Sequence, residues 1–107
     1  MDDYTKHHKR VEEVITRTAA EFFVRNVASR ALVTVTGCVL EKNNASATVF
    51  VSVLPDTATD EVLKELKRLR TDLYEYLRNE TKIGNVPRID IALASNEALV
   101  DIEADTI

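Results

Sequence analysis

The chain is short of the residues that build flexible or cross-linked proteins. It has two glycines and two prolines in 107 residues and no low-complexity run, so nothing marks a linker or a disordered body. Its one cysteine, Cys38, has no partner for an internal disulfide, which agrees with a reducing compartment. Apolar runs fall far short of a bilayer span, and the N-terminus MDDYTKHHKR lacks the hydrophobic stretch of a signal peptide. A cytoplasmic protein with no membrane contact is therefore expected. Two glycines also leave little with which to build a phosphate-cradling backbone nest. No metal-ligand spacing and no nucleophile and base motif is present, so the chain does not read as an enzyme and needs no cofactor.

At 45% hydrophobic and 30% charged, the chain has the size and apolar content of one domain spanning 1–107, with its core over about residues 6–102. Its formal net charge is -4, unevenly placed. Residues 1–82 hold 13 Lys or Arg against 13 Asp or Glu, whereas residues 83–107 hold one against five. The excess acid thus sits in the C-terminal quarter, and the remainder can carry a basic face if its acids lie elsewhere.

Val11, Val14, Ile15, Thr18 or Ala19, Phe22 and Phe23 recur at three- and four-residue steps, predicting an amphipathic helix over about 6–26. ALVTVTGCVL, Ala31 to Leu40, is β-branched and predicts a first strand. After the turn-prone Glu41-Lys42-Asn43-Asn44, Ala47, Val49, Val51 and Val53 alternate with Ser46, Thr48, Phe50 and Ser52, predicting an antiparallel hairpin partner over 45–54.

Pro55 and Asp56 break that strand, and Thr57 with Asp60 offers a helix start signal. Val62, Leu66, Leu69, Leu73 and Leu77 then share one helical stripe, with Tyr76 beside it. Lys64, Lys67, Arg68, Arg78 and Lys82 project near the opposite side with Thr71 and Glu75, and Glu61, Glu65 and Asp72 fall on a flank. Taken alone, such a basic stripe is more often a solvated helix face than a ligand surface. Gly84 stops the helix, and Asn85-Val86-Pro87 leads into RIDIALA, a third strand over 88–94. Ser95-Asn96-Glu97 can cap a short C-terminal helical turn through Ala98, Leu99 and Ile102, with 103–107 an acidic frayed end. The expected class is α+β in the order αββαβ, a three-stranded sheet packed on two main helices.

The remaining candidates have plain structural explanations. His7-His8 beside Lys9-Arg10 can be read as a metal site or phosphate contacts, but adjacent histidines point apart on a helix and no ligand cluster joins them. A solvated terminus is the expectation. Cys38 is expected to pack as a thiol rather than act as a nucleophile, Tyr76 to pack in the core, and Tyr74 stays open between packing and base stacking.

This order is that of the type II K-homology fold, and the sequence resembles the ribosome-binding factor A family over about Arg10 to Ile102. The resemblance rests on Arg10-Val11, Arg30 before strand one, VTVTG at Val33 to Gly37, the A-x-V-x-V-S-x-L pattern at Ala47 to Leu54, and Val86-Pro87. It implies a small cytosolic RNA-binding assembly factor that binds the immature small (30S) ribosomal subunit near the 5′ end of its 16S rRNA late in maturation. It further implies rRNA contacts from Lys64, Lys67, Arg68, Arg78 and Lys82, extended by Arg30 and Arg88.

The chain also departs from the family pattern. The Ala-x-Gly kink of the family's long helix falls at Leu69-Arg70-Thr71, where Thr71 replaces glycine, so a continuous helix is an open alternative. Arg-x-Arg before the proline becomes Lys82-Ile83-Gly84, and an aromatic residue and an Asp around strand three become Ile91 and Ala94. The acidic C-terminus would contact a basic ribosomal protein or fold over the basic face. A monomer is expected. The competing reading is a K-homology scaffold kept as a protein-interaction module without its RNA contacts.

Overall fold

The computed structural model describes residues 3–94 apart from 29 and 42, with side chains from residue 6 onward. The expected C-terminal turn and acidic end lie outside the described residues. The order is α1 (Asp3–Asn26), β1 (Leu32–Leu40), β2 (Ser46–Leu54), a 3-10 turn (Asp56–Ala58), α2 (Thr59–Arg68), α3 (Arg70–Glu80) and β3 (Arg88–Leu93). It is the expected αββαβ order, consistent with a K-homology-like topology, except that the second helix is divided.

The strands form a sheet in the order β1-β2-β3. β1 and β2 pair antiparallel from Leu32↔Leu54 to Leu40↔Ala47, with a register shift between Val35 and Gly37. There the Thr36 hydroxyl donates to the Phe50 carbonyl at 3.2 Å. β3 runs parallel to β2, Ser46↔Arg88 through Val51↔Leu93. Parallel neighbours need a crossover, which α2 and α3 supply.

Alternation in β2 and β3 sends Ala47, Val49, Val51, Val53, Ile89 and Ile91 to one side, where they are buried against Val11, Ile15, Ala19, Phe22 and Phe23 of α1 and Val62, Leu66, Leu73 and Leu77 of α2 and α3. Tyr76 packs on Phe22 with ring centroids 5.3 Å apart. Each of these large apolar side chains contributes about 1.5–3 kcal/mol through burial. The other side of the sheet carries half-buried Thr48 and Phe50 and the exposed cross-strand pair Leu32 and Leu54.

The uninterrupted helix that the leucine stripe allows is not what forms. At Leu69 φ is -86° and ψ is 1°, against an α-helical ψ near about -42°. The Leu69 N–H is shared between the carbonyls of Glu65 (3.2 Å) and Leu66 (3.0 Å), and its own carbonyl accepts from the Leu73 N–H at 2.9 Å. This conformation has negative φ and is open to any L residue, so the break needs no glycine at Thr71. The Arg70 Nε adds a cap of its own by donating to the Lys67 carbonyl at 3.1 Å.

Two contacts tie α1 to the hairpin turn. The Glu12 carboxylate accepts the Leu40 N–H at 2.8 Å, and His8 Nε2 lies 3.0 Å from the Glu41 carbonyl. His8 is half-buried and so is not part of a solvated terminus, whereas His7 is exposed.

Candidate nucleic-acid interface

On α2, Val62 and Leu66 point into the core, which places Lys64 and Lys67 about 180° and 120° away at 100° per residue, with Arg68 about 140° away on the other flank. All three are exposed. Glu65 lies on the same flank as Arg68, and its carboxylate accepts the Ala28 N–H at 2.7 Å. That bond draws the linker between α1 and β1, which carries the exposed Arg30, against α2. Arg68 lies three residues beyond Glu65 and so neighbours it on the helix surface. Lys64, Lys67 and Arg68 thus share the outer side of α2, and the Arg30 linker is tied to the flank that carries Arg68 and lies away from Lys67.

The break at Leu69 separates these cations from the rest. Arg78 sits on α3, about 120° from the Leu73 and Leu77 stripe, on the side of Tyr74. Lys82 lies two residues past α3, in the loop facing α1. Arg88 opens β3 opposite Ser46, whereas β1 begins at Leu32 opposite Leu54. Eight residues of β2 at about 3.3 Å each put Arg88 about 26 Å along the sheet from Arg30's end. The seven cations therefore do not share one continuous helix face.

Between α3 and β3 runs an open groove of about 570 Å³, lined by Arg70, Thr71, Tyr74, Glu75, Val86, Arg88 and Ile89. The break places Arg70 at its edge, with Thr71 one residue on. The Asp90 carboxylate is the anionic partner of both groove arginines, 3.6 Å from Arg70 Nη1 and 3.5 Å from Arg88 Nη2. Tyr74, left open by the sequence, is half-buried and lines this groove. Groove and cations together offer donors for phosphate oxygens and one aromatic face for a base.

Sequence reasoning marked Arg70 only as part of the kink and missed Asp90. Its signal was Arg88-x-Asp90, since residues two apart on a strand share a face. Cys38 is half-buried, and its thiol pKa is pushed up to about 12, chiefly by burial and further by the charge of Glu12. It stays protonated at neutral pH and is no nucleophile. Among the described residues, no group of three or more His, Cys, Asp or Glu could hold a metal ion, and no helix is long and apolar enough to cross a membrane.

No curated protein matches the sequence. The crystal structure of ribosome-binding factor A from Thermus thermophilus is similar to this chain with a TM-score of 0.72 and 22% identity, over 80% of this chain and 93% of that one. A homology model of the same Thermus thermophilus factor, fitted into a cryo-electron microscopy map of its complex with the 30S subunit, matches with a TM-score of 0.65 and 22% identity, over 78% and 90% of the two chains. At that identity the structures establish the fold. The sequence model of the family described as Ribosome-binding factor A matches residues 7–98, most of the chain and every described strand. The chain belongs to the ribosome-binding factor A family.

Proposed function

We propose that the chain is a non-enzymatic assembly factor that binds the immature small ribosomal subunit through its rRNA and assists late maturation of the 16S rRNA 5′ region in the cytoplasm. Family membership supports the general role, and a complex of the related Thermus thermophilus factor with the 30S subunit supports the partner. The observation that carries the mode of binding is the helix break. It sets Lys64, Lys67 and Arg68 on α2 apart from the groove of Arg70, Tyr74 and Arg88, which supports a reading in which both contact one folded RNA segment.

Recognition on this reading is by shape and charge. The exposed cations of α2, with Arg30, Arg78 and Lys82, neutralise phosphates, and affinity falls with salt as counterions return. Binding favours one arrangement of the rRNA 5′ region, and no bond is made or broken. Deleting the gene tests the role in the cell. Small subunits are then expected to accumulate with unprocessed 16S rRNA 5′ ends, and normal 5′ ends in the deletion strain would refute it.

One observation favours the protein-interaction reading: Leu32 and Leu54 pair across the outer side of the sheet while 61% and 57% exposed. Substituting both with serine separates the two. Loss of subunit binding with the cations intact would move the interface to the sheet.

A further inference from the structure

Two adjoining cavities lie where α1, the β1–β2 turn and the α3–β3 loop meet. One, of about 280 Å³, is lined by His7, Asn43, Asn44 and Asn85 together with the apolar Val11, Leu40, Ile83 and Pro87. The other, of about 190 Å³ and mostly apolar, shares His7, Val11 and Ile83 with it and adds Val14, with Arg10 and Lys82 supplying its charge. No carboxylate lines either cavity, although the chain as a whole is acidic. The nearest acid on the hairpin side of α1, Glu12, already accepts the Leu40 N–H. Among the described residues, no ion pair engages His7, Arg10 or Lys82.

The two loops are folded up to this place by residues with left-handed backbone, Asn44 at φ 61° and Gly84 at φ 90°. Val86 and Arg88 line the groove beside α3, whereas Asn85 and Pro87 line the cavity beside α1. One loop therefore separates the two places, and a strand that leaves the groove past Arg88 crosses it to reach Arg10.

We propose that His7, Arg10 and Lys82, with the carboxamides of Asn43, Asn44 and Asn85, form a second RNA-backbone site that holds the segment continuing from the α3–β3 groove. This rests on the RNA-binding reading above. The chemistry fits a phosphodiester with its ribose. Arg10 offers a planar fork for phosphate oxygens, Lys82 a point charge, and the carboxamides donate to phosphate or accept from the 2′-hydroxyl. A protein partner with an acidic surface would use the cations but leave the carboxamides and their ribose-sized space unexplained.

The test compares variants of equal charge at neighbouring positions of α1 that face about 100° apart. Arg10→Glu reverses a cation of the cavity, and Lys9→Glu makes the same change at an exposed residue that lines neither cavity. Binding to small ribosomal subunits is measured across 50–200 mM salt, with Lys64→Glu/Arg68→Glu as reference. Arg10→Glu, alone and with His7→Ala, is expected to weaken binding by about tenfold and to flatten the salt slope by about 0.7 per phosphate lost, with Lys9→Glu changing affinity by less than about twofold. Lys82→Gln, which reverses no charge, is expected to move both in the same direction. His7 and Arg10 are both exposed, so circular dichroism of these variants should match the parent. Equal effects of Arg10→Glu and Lys9→Glu, or no effect of Arg10→Glu while the reference variant loses binding, would remove this site alone. Absence of binding by the unaltered chain would remove the RNA-binding reading and the site with it.

Discussion

Asp90 occupies both arginines of the groove, so removing its charge should act on stability and on RNA binding in opposite directions. The ion pairs to Arg70 and Arg88 are 3.6 and 3.5 Å long, and the side chains are 48%, 75% and 39% exposed for Arg70, Arg88 and Asp90. Pairs this exposed contribute about 0.2–1 kcal/mol each. Asp90→Asn keeps the shape and leaves the Arg70 Nε bond to the Lys67 carbonyl in place. The loss in urea unfolding should therefore stay below about 2 kcal/mol, the upper end for two such pairs.

Binding should improve, because two guanidinium groups and one fewer negative charge then face the ligand. If both arginines reach phosphates, each adds about 0.7 to the salt slope for single-stranded RNA, so the slope steepens by up to about 1.4. Affinity should rise severalfold at low salt and the gain should shrink as salt is added. The assay is titration of small subunits or a labelled single-stranded oligoribonucleotide at several salt concentrations, with urea unfolding alongside. A folded Asp90→Asn variant that binds no tighter than the parent would refute the idea that Asp90 masks the groove.

Other outcomes follow from the same structure. Lys64→Glu with Arg68→Glu should weaken subunit binding by about 1–2 kcal/mol in all, on the scale of charge-assisted contacts, and unchanged binding would remove the α2 face. Leu73→Ala, at a fully buried position on α3, should cost about 2–5 kcal/mol in urea unfolding; a loss under about 1 kcal/mol would contradict the packing. Cys38 should resist alkylation at pH 8 in the folded chain. Its thiol pKa rises from 9.0 to about 12 on folding, so the folded state holds the proton more tightly. The stability this gives is complete below pH 9 and is lost as pH rises from 9 towards 12. Cys38→Ala should flatten that decline, and an unchanged pH profile would show that other groups cause it.

Much of the scaffold was legible because it rests on periodicity. The 3.6-residue recurrence of Val11, Ile15, Phe22 and Phe23 and the strict alternation from Ala47 to Val53 each leave one geometry that buries the apolar set. The division of the second helix was not, because Leu69 takes a backbone conformation that every L residue shares and the leucine spacing runs through it unbroken. The exposed cations were legible as residue types and not as an arrangement. Spacing on a continuous helix put Lys64 and Arg78 on one face. The break, the Glu65 bond to Ala28 and the strand register instead divide the cations between α2, the groove and the α1 end. Arg70, Asp90 and the pairing of Arg10 with Lys82 depend on which loops meet, which no local pattern encodes.

On the proposed function, this chain binds the small ribosomal subunit by contacting RNA phosphates. Co-sedimentation of the purified chain with small subunits across a salt series, with large subunits and free rRNA as controls, tests it most directly. The account predicts selective binding to small subunits that falls steeply as salt rises. No binding even at low salt, or binding that is indifferent to salt, would contradict it.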